Sequence, residues 1–224
     1  MKKRLFNALV ICCMLAVLSI PVVFQANDDN ALGRAGEKIS NAIEDEEAGT
    51  ILFSRGDIEV TKGELTSAII GNMGRGKNQE EIVEDAVQTV VTRKYLYVKA
   101  AKAGVAVTEE EYEAYKEMLS ESLQNADNKE DVQAYFDGFG GEDNYWKSMK
   151  PTILQNLTIR KYLNEQTGNE SGTVGYSEKE IPAGTDKQQE LETQIKAEAY
   201  EEALTVEEQE KLIDAAVELY QELQ

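Results

Sequence analysis

The residues able to do chemistry are few, and they exclude more than they suggest. The chain holds no histidine, which removes Ser-His-Asp and Cys-His triads, His-ligated zinc and the usual imidazole acid or base. Gly71-Asn72-Met73-Gly74-Arg75-Gly76-Lys77-Asn78 has the glycines and lysine of a phosphate-cradling loop. Asn78 stands where a magnesium-holding Ser or Thr is required, and a helix rather than a strand is expected before it, so it reads as an inter-helix loop. Arg55-Gly56-Asp57 spells an adhesion tripeptide, which the tip of a Gly-centred hairpin explains without a receptor. The acidic spacing of Asn125 to Asp131 lacks the central Gly and terminal Glu of a calcium loop. Glu109-Glu110-Glu111 is a first helical turn favoured by the helix dipole. No catalytic, cofactor-binding or metal-ligating residue is therefore expected.

What remains is a set of large soft side chains: Tyr112, Tyr115, Tyr135, Phe136, Phe139, Tyr145, Trp146 and Met149. Exposed, they would line a groove for apolar segments of another polypeptide, because aromatic and thioether groups offer area and adaptable shape. Buried, they are ordinary core at helical spacing. Phe139, flanked by glycines, is expected to be the most exposed of them.

Charge and leader narrow the setting. Forty-two Asp and Glu face 23 Lys and Arg, a formal charge of −19, which argues against nucleic acid as a partner. Lys2, Lys3 and Arg4 precede an apolar run from Leu5 to Phe24. A basic start and an apolar stretch signal export, and the run reads equally as a cleaved signal peptide or an uncleaved membrane anchor. Cys12 and Cys13 lie within that run without the small preceding residue that lipidation needs.

Helices must position the rest. Residues 27–50 are polar and acidic, and read as a tether or frayed helix. Ile51 to Val60 gives two short apolar runs around a Gly-centred turn, a small hairpin. Thr61 with Glu64, Thr108 with Glu111 and Thr205 with Glu208 have the spacing of capping boxes that open three helices. A helix is expected from about Gln79 to Ala103, with Gly104 past its end. Another follows Thr108, and a short one surrounds Val132 to Phe136. A long one is expected with Asp143 as its cap, and with a kink or an early start at Pro151. Residues 167–185 read as a linker, and 186–224 as amphipathic helices carrying twelve acids against three lysines. Their apolar face requires a partner, and the helices upstream are the expected one.

This order of signals resembles the SurA N-terminal domain family. GDIEVTKGEL resembles that family's opening hairpin and first helix start. Leu96, Ala100, Gly104, Val105, Val107, Thr108, Glu110 and Glu111 resemble its helix–bridge–helix pattern, and Tyr145 to Leu163 its following helix with an interior proline. The resemblance covers residues 51–166. It implies a helical cradle that binds unfolded or partly folded clients, with a C-terminal helix packing back on it. The family's parvulin isomerase domain has no room here between Leu163 and the C-terminal helices, and parvulin sites use His.

The expected molecule is thus mainly α, a helical bundle of the SurA N-terminal type with a small N-terminal β-hairpin. Its parts are a leader (1–26), a tether (27–50), the helical domain (51–166), a linker (167–185) and C-terminal helices (186–224). The expected function is that of an extracytoplasmic chaperone or holdase for unfolded or nascent exported polypeptides, without catalysis or cofactor. Membrane contact is expected only through residues 5–24. The alternatives are an envelope protein with one dedicated partner, or a prolyl isomerase acting through an unrecognised site.

Overall fold

The computed structural model describes residues 31–73, 75, 77–124, 129–168 and 186–224; the leader, the first residues of the expected tether (27–30), residues 125–128 of the calcium-loop-like stretch and residues 169–185 of the expected linker lie outside them. The described chain is mainly helical, with one two-stranded antiparallel hairpin. In order it forms α1 (Ala31–Glu44), β1 (Ile51–Arg55), β2 (Ile58–Thr61), α2 (Lys62–Met73), α3 (Gln79–Lys102) and α4 (Glu109–Gln124). α5 (Lys129–Gly138), α6 (Glu142–Thr167), α7 (Asp186–Ala203) and α8 (Val206–Glu222) follow.

The start signals work as their chemistry dictates. Thr61 and Glu64, Thr108 and Glu111, and Thr205 and Glu208 each exchange side-chain and backbone hydrogen bonds in both directions. A fourth box opens α3. Asn78 accepts from the Glu81 amide at 3.1 Å, and Glu81 accepts from the Asn78 amide at 3.0 Å. The asparagine that breaks the phosphate-loop pattern is therefore a helix cap. Asp143 is not a cap. The cap position falls two residues earlier, at Gly141, whose φ of 114° suits glycine alone and brings no side-chain cap bond. Pro151 sits inside α6 without ending it.

Two clusters of buried side chains make the core. One is aromatic and joins α1, α4, α5 and α6. Tyr145 is its hub, with ring centroids 4.9 Å from Phe136, 5.2 Å from Phe139 and Trp146, and 5.9 Å from Tyr135. The other is aliphatic and joins β2, α2, α3 and α8 through Val60, Leu65, Ile69, Val87, Val90, Leu212 and Ala216. Leu96, Ile159, Leu163 and Ala199 form a smaller third contact among α3, α6 and α7.

Of the stretch read as a tether or frayed helix, residues 31–44 form a helix, and the tether alternative is the one corrected. α1 is docked, with Ala35, Gly36, Ile39 and Ser40 buried. Its seat on α5 is a backbone approach: a Cβ on Gly36 would lie 2.3 Å from the Tyr135 carbonyl oxygen, and one on Gly138 2.3 Å from that of Gly33. Glycine at these positions is what lets the helices meet so closely. At the other end, the Gly63 amide donates to the Ala48 carbonyl at 2.9 Å and the Lys62 amide to that of Thr50 at 2.8 Å. These bonds tie the turn after α1 to the start of α2.

The C-terminal helices do pack back. Leu204, Leu212, Ala216 and Leu219 are buried in the aliphatic cluster. Arg55, first residue of the adhesion-like tripeptide, holds the α7–α8 junction, with Nη1 3.1 Å from the Ala203 carbonyl and 3.3 Å from Glu208. Asp57 pairs with Lys102 at 3.0 Å. Arg55 and Asp57 thus make internal contacts on either side of the hairpin tip.

Candidate binding cleft

All eight side chains expected to line a groove are buried. Tyr112, Tyr115, Tyr135, Phe136, Phe139, Tyr145, Trp146 and Met149 belong to the aromatic cluster and none is more than 5 % exposed. Phe139, expected to be the most open, is 4 % exposed, because its ring sits edge-on to Tyr135 and Tyr145. The rings of Tyr135, Phe136, Phe139, Tyr145 and Trp146 pack against one another at close range, which satisfies them as core. Among the described residues the exposed large apolar side chains are Ile51, Tyr97, Leu191 and Val206, none of them in the expected set.

Two carboxylates of the Glu109–Glu111 turn are likewise occupied. Glu109 pairs with Lys150. Glu111 accepts from the Thr108 amide at 2.8 Å and from Lys161 at 2.9 Å.

An opening of about 310 Å³ exists elsewhere, at the seam between the two clusters. It is bounded by four helices, each presenting residues one turn apart: Ile39 and Ile43 of α1, Glu64 and Ala68 of α2, Thr89 and Arg93 of α3, and Ser148 and Thr152 of α6. Met149 forms part of the wall, and the Ala48–Gly49 turn and Pro151 also border it. Gly49 and Pro151 are exposed, so the cleft communicates with solvent on their side. The size is at the small end for a ligand site. The walls combine aliphatic carbons with hydroxyls and one cation.

That cation is Arg93, only 9 % exposed. Its Nε has no hydrogen-bond partner among the described residues. The nearest acid in the wall, Glu64, is committed elsewhere. Its Oε1 is 2.5 Å from Lys94 Nζ, and its Oε2 takes the Thr61 amide and hydroxyl, each at 3.2 Å. Glu64 therefore reaches Arg93 only as a nearby charge. Burial pushes the guanidinium below its ordinary value, and the Glu64 carboxylate partly offsets that shift. Ser67 Oγ, in the same wall, is also buried without a partner among the described residues.

Arg93 carried a legible signal that charge and motif reading passes over. Val83, Ala86, Val90, Arg93, Leu96 and Ala100 recur every three or four residues and are all buried. A cation within the apolar stripe of a helix must be paired, solvated or waiting for a ligand. Finding the cleft itself required α1 and α6, which the sequence does not bring together.

Comparison with family models, with curated proteins and with solved structures yields no match to the chain. The chemistry of the cleft therefore carries the functional reading.

Proposed function

We propose that the chain is an extracytoplasmic chaperone-type protein that holds short apolar segments of unfolded exported polypeptides without catalysis, and that the cleft bounded by α1, α2, α3 and α6 is where it holds them. The observation that carries this reading is a solvent-connected opening of about 310 Å³ with Ile39, Ile43, Ala68 and Met149 in its walls. Such a space accepts one or two side chains of an extended segment and repays their burial at roughly 25 cal/mol per Å² of apolar surface. The basic-then-apolar start of the chain supports an extracytoplasmic setting. An outer surface of high negative charge favours solubility of a complex with an aggregation-prone client.

The test is suppression of aggregation. The full chain should slow light scattering by several unrelated unfolded proteins, and Ser148→Trp, which fills the cleft from a half-buried position, should lose that effect. Protection of none of them would favour one dedicated partner instead. Acceleration of cis–trans exchange in a prolyl peptide would favour an isomerase.

A further inference from the structure

We propose that Arg93 is a carboxylate receptor, and that the cleft takes the C-terminal residue of a polypeptide: the chain-end carboxylate on the guanidinium, the terminal apolar side chain against the aliphatic wall. This deepens the preceding reading and rests on it.

Three observations carry the proposal. Arg93 is more than nine-tenths buried, its Nε is unpartnered among the described residues, and it borders an opening to solvent. A buried guanidinium Nε–H without an acceptor among the described residues is costly to keep, whereas a carboxylate supplied by a ligand gains charge-assisted hydrogen bonds in a weakly screened site. Next, the acid that could have neutralised it is engaged by Lys94 and Thr61 on both oxygens. With Arg93 and Lys94 cationic and Glu64 anionic, these three groups together leave one positive charge at the cleft. Finally, Ser67 adds an unpartnered buried hydroxyl to the same wall, a second donor for an anionic oxygen.

The walls decide which carboxylate fits. Ile39, Ile43, Ala68 and Met149 call for apolar carbon close to the anionic head. An internal Asp or Glu brings a carboxylate on a short methylene arm and no separate apolar side chain on the same residue. A C-terminal Leu, Ile, Val or Phe brings both from one residue. The chain's net charge of −19 opposes anions at long range but is screened beyond about 8 Å at physiological salt. Recognition is thus a matter of contact inside the cleft.

The experiment measures fluorescence anisotropy of labelled hexapeptides on the full chain. One peptide ends in Leu-Leu with a free carboxylate, one is its C-terminal amide, and one is an amide carrying an internal Glu. The free acid should bind about ten- to a hundredfold more tightly than either amide, the range for a hydrogen bond to a charged group. In Arg93→Met that preference should vanish. The same variant, without peptide, should melt at a higher temperature, because it replaces a buried charge whose Nε has no hydrogen-bond partner among the described residues with apolar volume. Equal binding of acid and amide would overturn the carboxylate assignment while leaving polypeptide binding intact. Equal binding of the internal Glu peptide and the free acid would overturn the chain-end assignment, as would N-acetyl-leucine binding when no peptide does. Binding of nothing would overturn this proposal together with the reading it rests on. A lower melting temperature for Arg93→Met would mark Arg93 as structural and overturn the proposal, and the acid–amide comparison on the unaltered chain needs no variant to fold.

Discussion

Around Tyr145 the molecule packs ring against ring, whereas around Val90 it packs branched aliphatic chains. The two clusters differ in how they meet the demands of burial. The aromatic one must find partners for hydroxyls and an indole: Trp146 Nε1 donates to Glu142 at 3.0 Å, Tyr112 donates to the Trp146 carbonyl at 3.4 Å, and the Tyr135 hydroxyl has no partner among the described residues. The aliphatic one carries no such obligation at its centre, where Val60, Leu65, Val87 and Val90 are fully buried. Arg93, on the same helix as Val87 and Val90, borders the cleft at the seam. The aromatic cluster is closed by backbone-close contact with α1, the aliphatic one by side chains of α8. A difference in composition thus becomes a difference in tolerance. The first region resists added volume, and the second depends on volume being present.

The largest effect should come from Gly138→Val. Its Cβ would meet the Gly33 carbonyl oxygen at 2.3 Å and the Glu37 amide nitrogen at 2.5 Å. Backbone cannot yield as a side chain does, so a loss above about 3 kcal/mol is expected. Thermal unfolding followed by the emission of Trp146, the sole tryptophan, checks it; an unchanged melt would mean α1 is not seated on α5. In the aliphatic region Leu212→Ala should cost about 2–5 kcal/mol by cavity formation. Urea unfolding measures it, and the native emission of Trp146 should stay where it was, since that ring belongs to the other cluster.

Alkali should act on the aromatic region first. Burial holds the phenols of Tyr135 and Tyr145 neutral well above their ordinary value and pushes Tyr112 up to about 12, with Glu113 and Glu109 adding to the last shift. An unfolded tyrosine ionises near pH 10. The stabilisation from keeping these phenols neutral is therefore complete below about pH 10 and is lost as pH rises toward and past 12. Tyrosinate absorbance should show these groups titrating together with unfolding, after the exposed tyrosines. Smooth titration of all ten tyrosines near pH 10, with the fold intact, would contradict the burial described. The smallest effect belongs to Tyr135→Phe. Removing a buried hydroxyl without a partner should leave stability unchanged or raise it by up to about 1 kcal/mol, read from the melting temperature.

Helix positions were legible because their causes are local. The Thr–Glu pairs at 61, 108 and 205 and the apolar spacing from Ile82 to Val98 depend only on residues within a turn or two of one another. The docking of α1 was not legible. ALGRAGEKISNAIE has the glycines and polar residues of a tether, and its small residues acquire meaning only against Gly138, about a hundred positions away. For the same reason the aromatic residues could be named as a set but not assigned to surface or core. Tyr112 and Tyr145 are on different helices, and only their meeting buries both.

Local chemistry in the chain itself determined that this protein is mainly helical, where α2, α4 and α8 start, that one hairpin precedes α2, and that imidazole plays no part in it. Capping hydrogen bonds, turn glycines and helical periodicity are short-range effects, and they act whatever the rest of the chain does. Tertiary structure alone decided that α1 closes the aromatic cluster, that the aromatic side chains are core, and that Arg93 borders an opening among four helices. Burial and charge pairing are properties of segments brought together across the whole sequence, and no single segment carries them.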